Sequence, residues 1–154
     1  GEEFITRKIT NGLSKIKAGL LDHLEVGNID AKRDWGFAGD YVNAMWLMLQ
    51  QKQARDYIIA TGKMYSVRQF INEAIKHFDF DAYWVGKKEN EKLKLKKNNK
   101  TIICINKKYY RPNEVETLLG DASQTKKFLK WNPSVDFKKL VKIMSLSDLN
   151  IYNK

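Results

Sequence analysis

Three short apolar runs, each closed by a glycine, constrain this chain more than any other feature. Leu24-Glu25-Val26 ends at Gly27, Asp56 to Thr61 at Gly62, and Phe80 to Val85 at Gly86. Such runs are too short for helices and read as strands, the second with the continuous pattern of a buried parallel strand. Thr101 to Ile105 reads as a further strand. Segments of helical period lie between them. Residues 3–21 carry Phe4, Ile5, Ile9, Leu13, Ile16 and Leu20 at that spacing. Asp40 can cap a helix from Tyr41 to Gln51 with Val42, Met45, Trp46 and Leu49 on one face. Ser66, with Gln69 in the capping-box position, opens a helix striped by Val67, Phe70, Ile71, Ala74, Ile75 and Phe78. Pro112 disfavours helix at Arg111 and leads into a short helical turn from Glu114 to Leu118. Ser123 can cap a helix reaching Leu129. Asp136 can cap the last one, with Phe137, Leu140, Val141 and Ile143 or Met144 inward. The fold class is α/β, and the tail after Ser147 is expected to fray.

Composition narrows the functional classes. At 154 residues the chain is one domain's worth, able to bury roughly 70% of its unfolded surface. A hydrophobic content of 43% gives no reason for global disorder. No run of about 18 apolar residues is present to span a membrane. The N-terminal Gly-Glu-Glu-Phe has neither the basic nor the apolar region of a signal peptide and reads as a helix start in a chain cut mid-protein. The single Cys104 excludes an internal disulfide and, with the missing signal, fits a cytoplasmic, reducing location. The formal charge of +10 invites a nucleic-acid reading. Half of it sits in residues 87–100, where seven lysines face two glutamates. That stretch has almost no aromatics to stack bases, so it reads as a solvated, mobile, Lys-rich insert.

The segment Asn28-Ile29-Asp30-Ala31-Lys32-Arg33-Asp34-Trp35, followed by Asp40-Tyr41-Val42, concentrates charge and aromatics between apolar elements. Arg33 offers a planar fork for phosphate or carboxylate, and Asp34 can hold that fork in place or simply pair with it. Trp35, Tyr41 and Trp46 read as core aromatics. His23 and His77 show no metal-ligand spacing, and no metal site is expected. Cys104, within an apolar strand, reads as a buried thiol. Tyr83 and Lys87 have the offset of a catalytic Tyr-x-x-x-Lys pair but sit on a predicted strand, where that offset lacks helical geometry.

Several segments, taken in order, resemble the GDP-mannose 4,6-dehydratase family of extended short-chain dehydrogenase/reductases. They are Phe4 to Thr10, Gly27 to Gly36, Asp40-Tyr41-Val42, Ile59 to Gly62 with Tyr65 to Phe70, Tyr110 to Glu116, and Leu119-Gly120-Asp121 with Leu129 to Pro133. Any one is weak; six in one order are specific. The resemblance covers nearly the whole chain apart from the insert and the tail. It implies the C-terminal part of such an enzyme: the end of a Rossmann sheet plus a small α/β substrate-binding domain over residues 1–147, then the tail 148–154. The N-terminal Rossmann domain, with its Gly-rich loop and catalytic Tyr-Lys pair, is absent from this sequence.

The resemblance further implies that Lys8, Asn28, Arg33, Arg111 and Glu114 line a GDP-sugar site. Arg33 and Arg111 would clamp phosphate oxygens, Lys8 would add a point charge, Glu114 would accept from ribose hydroxyls, and Asn28 would reach a base edge or phosphate. On the residues alone, Lys8 reads equally as a solvated helix lysine and Arg111 as a loop residue. The intact family oxidises GDP-mannose with NADP and eliminates water to give GDP-4-keto-6-deoxy-mannose. This chain holds no catalytic residue or cofactor fingerprint, so it is expected to be inactive alone and to bind no NADP tightly. Expected partners are a GDP-sugar and either a complementary N-terminal chain or further copies of itself. A fragment of another nucleotide-sugar epimerase or reductase, and a basic interaction module without catalysis, stay open. Residues 3–21 and 56–62 are expected to lose the sheet they pack on, leaving apolar faces exposed and the chain oligomeric, poorly stable or rebuilt around new contacts.

Overall fold

A computed structural model describes residues 3–110 and 119–152. In chain order the elements are α1 (Ile5–Lys17), β1 (Leu24–Val26), β2 (Lys32–Arg33), α2 (Ala38–Leu49), β3 (Tyr65–Ser66), α3 (Val67–Ala74), β4 (Ala82–Val85), β5 (Lys92–Leu95), β6 (Thr101–Ile105), α4 (Ser123–Leu129) and α5 (Phe137–Tyr152). The main sheet has the order β1-β6-β5-β4, with β1 parallel to β6 and the other pairs antiparallel; β2 and β3 form a separate two-stranded ribbon. α1, α3 and α5 pack together and cover the sheet's inner side, so the main core is two-layered. Ile9, Leu13, Phe70, Ile71 and Val141 from the helices meet Val26, Leu93 and Ile103 from the strands. A second cluster joins Ala44 of α2 to Leu129 and Trp131, with Tyr41, Leu47, Met48, Tyr57 and Ile59 around it.

The capping box at Ser66 forms as the sequence predicts. The Ser66 hydroxyl accepts from the Gln69 N–H at 3.1 Å, and Gln69 accepts from the Ser66 N–H at 2.7 Å. Asp136 accepts from the Lys139 N–H at 2.8 Å at the start of α5.

Several expectations need correction. The Lys-rich stretch 87–100 is not a solvated loop throughout: Lys92-Leu93-Lys94-Leu95 is β5, paired on both sides within the sheet, with Leu93 and Leu95 buried. Its lysines alternate with core leucines at the period of a strand, so one face carries the charge and the other the packing. The turn behind it is built by Asn99 in the left-handed region at φ 57°, a conformation asparagine tolerates, and by Asn98, whose side chain accepts from the Lys100 N–H. The tail does not fray at Ser147. α5 runs on to Tyr152, Leu149 is in the core, and the fully buried Asp148 carboxylate pairs with Arg7 at 2.8 Å.

The stretch 56–62 is not a strand. The Asp34 carboxylate takes the N–H groups of Thr61 at 3.2 Å and Gly62 at 2.8 Å, as well as the Thr61 hydroxyl. This side chain thus supplies backbone partners that a ladder would otherwise provide. Ile58 in that stretch is exposed, as expected, but α1 keeps its partners, because α3, α5 and β1 cover its apolar residues and Phe4 and Leu20, beyond its ends, stay exposed. Asp40 is not a cap. It lies in the first turn of α2, buried, and its carboxylate accepts from the Ser134 N–H and hydroxyl and the Val135 N–H at 2.6–3.1 Å. Ser123 likewise is the first residue of α4 rather than its cap, and its N–H is held by Asp121.

Candidate functional site

The residues singled out by the sequence fall into three groups. Lys8 and Gly27, the neighbour of Asn28, both approach Tyr109, Arg33 sits further along the same loop on β2, and Arg111 and Glu114 lie outside the described residues.

Lys8 projects from α1 with its ammonium 3.6 Å from the centroid of the Tyr109 ring, a cation–π contact. Burial pushes its pKa below the ordinary lysine value, with Glu3 and Glu25 opposing that shift. Helical spacing puts Asn11 and Lys15 on the same face as Lys8. With Gly12, Leu21 and Leu24 they line a cavity of about 160 Å³. That is below the roughly 300–1,000 Å³ of whole-ligand pockets, so the cavity suits one phosphate-sized group rather than a complete sugar nucleotide. The sequence reading missed Tyr109, Asn11 and Lys15. The spacing along α1 could have found the last two; nothing local signals the ring that comes back from after β6.

Gly27 meets the backbone of the same tyrosine. A Cβ at this position would run into the carbonyl of Tyr109, so only glycine lets the turn after β1 approach that backbone. The turn is fixed by Asn28, whose side-chain oxygen accepts from the Asp30 N–H at 2.9 Å. Ile29 and Ala31 are buried beneath it, and their carbonyls accept from the N–H groups of Arg68 and Val67. The Arg68 guanidinium then clamps Asp30 at 3.0 Å and Glu91 at 2.6 Å, and these contacts raise its pKa further. The acid within Asn28-Ile29-Asp30 is therefore a structural partner of Arg68, a residue the sequence reading had not assigned.

Arg33 lies on β2 opposite Tyr65, half-exposed, with Nη1 donating to the Lys32 carbonyl at 2.7 Å. Asp34 does not serve as its fork holder, because that carboxylate is engaged by Thr61 and Gly62. Trp35 packs edge-on against Phe70 and stacks on Phe137. Tyr41 packs against the second cluster, whereas Trp46 is exposed and not core. The Trp131 indole donates to the Asp40 carbonyl at 3.0 Å, so two of the sequence segments that carry the resemblance are locked together. Burial pushes the Cys104 thiol pKa up, with Glu25 adding to it. The hydroxyl of Tyr83 donates to Asn99 at 2.7 Å on β4, away from any helical pairing with Lys87.

Two solved structures share this fold at low identity. RMD from Pseudomonas aeruginosa, complexed with NADPH, matches with a TM-score of 0.76 at 18% identity over 98% of this chain and 44% of its own. The dTDP-glucose 4,6-dehydratase of Bacillus anthracis, in complex with NAD, matches with a TM-score of 0.67 at 15% identity over 94% of this chain and 40% of its own. The α/β fold is shared with part of each of these two chains. Sequence similarity is more specific. The family pattern described as GDP-mannose 4,6 dehydratase matches residues 1–144. The human GDP-mannose 4,6 dehydratase is 45% identical over 98% of this chain, and GDP-mannose 4,6 dehydratase 1 of Arabidopsis thaliana is 48% identical over 98%. The chain belongs to the GDP-mannose 4,6-dehydratase family. It spans 41% of the length of the human relative and 37% of the Arabidopsis one, matching their C-terminal part.

Proposed function

We propose that this chain is the GDP-sugar-binding portion of a GDP-mannose 4,6-dehydratase that converts GDP-mannose to GDP-4-keto-6-deoxy-mannose with NADP. The observation that carries this reading is the Lys8 ammonium, which lies over the Tyr109 ring and with Lys15 lines a small basic cavity, while Gly27 abuts the Tyr109 backbone. A half-buried ammonium lining a cavity of phosphate size suits one end of a nucleotide diphosphate. Arg33, with Arg111 and Glu114, would extend the contacts along the rest of the ligand.

The chemistry of the reaction lies elsewhere. Oxidation at the sugar's C4, loss of water across C5 and C6, and return of the hydride to C6 need the cofactor and proton-transfer groups of the family's upstream portion. This chain would hold and orient the nucleotide, and the cofactor would not bind tightly to it. Its partner would be that upstream portion, on a separate chain or joined to it.

Mixing the chain with the upstream portion of a relative and assaying formation of the 4-keto product tests this. Turnover in the mixture, absent from either part alone, is the expected result. Steady turnover by the isolated chain would contradict the division of labour proposed.

A further inference from the structure

Outside the basic cavity, the pairing of β1 with β6 assembles a mixed set of donors that sequence spacing does not reveal. The parallel register places Glu25 opposite Cys104. His23, two residues before Glu25, shares its side of the strand. A ring nitrogen of His23, a carboxylate oxygen of Glu25 and Cys104 Sγ all lie within 4.8 Å of one another. We propose that His23, Glu25 and Cys104 bind a zinc-type divalent cation that clips β1 to β6.

The donor chemistry selects the ion. Imidazole, carboxylate and thiolate together suit zinc, with three protein ligands and one position left for water. Calcium and magnesium call for oxygen shells, which this set cannot supply. Zinc bonds of roughly 2.0–2.3 Å put tetrahedral ligands about 3.5 Å apart, so the side chains must close by about 1 Å. The exposed His23 has that freedom.

The support beneath the donors is already built. Leu24, Val26 and Ile103 are buried and fix the two strands. Asn106 donates to Glu25 Oε2 at 2.9 Å, and its backbone N–H donates to the Val26 carbonyl. Asp22 lies 3.3 Å from His23 Nδ1, supplying the outer carboxylate that orients metal-bound histidines. Three lysines oppose the ion, the first being Lys8 through its electrostatic coupling to Glu25. Lys92 faces Cys104 from β5, and Lys100 pairs with Asp22 at 2.9 Å. Both are exposed and can swing into solvent when an ion enters.

Cobalt titration of the full chain reads this directly, since Cys104 is the one cysteine present and any thiolate-to-cobalt charge-transfer band reports it. The expected result is such a band at one equivalent, with tetrahedral visible bands, both abolished by zinc. His23→Asn and Glu25→Gln should each weaken binding about tenfold or more. Asp22→Asn should weaken it by about tenfold. Cys104→Ser should lose the charge-transfer band while keeping the far-ultraviolet dichroism of the folded chain. Zinc should also raise the melting temperature of the wild-type chain and not that of Glu25→Gln. The absence of a charge-transfer band in the folded wild-type chain would overturn the proposal. So would a band whose affinity is unchanged in His23→Asn and Glu25→Gln, because the thiol would then be binding metal without them.

Discussion

Gly27 and Asp148 show how much of this fold rests on single residues. Gly27→Ala places a methyl group against the Tyr109 carbonyl, which belongs to backbone and cannot rotate away. The expected cost is about 1–3 kcal/mol in urea melts, with loss of nucleotide binding beyond what the stability change explains. Arg7→Ala would leave the fully buried Asp148 carboxylate without its partner. Breaking a wholly buried pair costs about 3–5 kcal/mol; Arg7 keeps a third of its side chain in solvent, so about 2–3 kcal/mol is expected here. A change under 0.5 kcal/mol would show that the pair is not what anchors α5 to α1. Neither role could be read locally. Gly27 looks like an ordinary strand stop until Tyr109 is brought beside it, and Asp148 looks like solvent-facing tail until α5 turns it inward.

Among the elements, α2 is the one whose surroundings do not match its composition. Tyr41, Ala44, Leu47 and Met48 pack toward Trp131, while Val42, Met45, Trp46 and Leu49 on the other side are 57–83% exposed. A helix apolar all round belongs in an interior, and an exposed patch of this kind marks a contact surface. Replacing Trp46 and Leu49 together with glutamate is expected to change the stability of the chain by less than about 0.5 kcal/mol. The same change should reduce its self-association in sedimentation and its pairing with an upstream portion. A large loss of stability in the monomer would instead mean that this face is covered within the chain. The opposite lesson comes from β5. Lys-Leu-Lys-Leu has the alternation of a half-buried strand in plain view, but the surrounding lysines dominate a reading by charge, and only the register with β4 and β6 shows which leucines are inside. Residues 56–62 carry a strand's composition but form none, and at their end Asp34, distant in sequence, takes the N–H groups of Thr61 and Gly62.

For the molecule as a whole, periodicity made the helices legible, with α3 and α5 each burying one stripe behind the Ser66 and Asp136 caps, whereas the middle of α1 is buried on every side. The family was legible from ordered short segments. Several of those segments prove to be structural: Asp40 holds Ser134 and Val135, Arg68 holds Asp30, and Trp131 holds the Asp40 carbonyl. The candidate site was only partly legible, because Tyr109 joins Lys8 through tertiary contact, not spacing. The central claim is that a GDP-sugar site resides in this chain, and calorimetric titration of the purified chain with GDP-mannose, with GDP and UDP-glucose as controls, tests it most directly. Binding should prefer the guanine ligands and weaken about tenfold in Lys8→Ala and Arg33→Ala. Because burial lowers the Lys8 pKa, its cation is lost at a lower pH than an exposed lysine's. Affinity should therefore fall as pH rises through that range, and Lys8→Arg, charged throughout, should hold it. A folded chain that binds none of these ligands, or binds them equally with and without Lys8 and Arg33, would contradict the account.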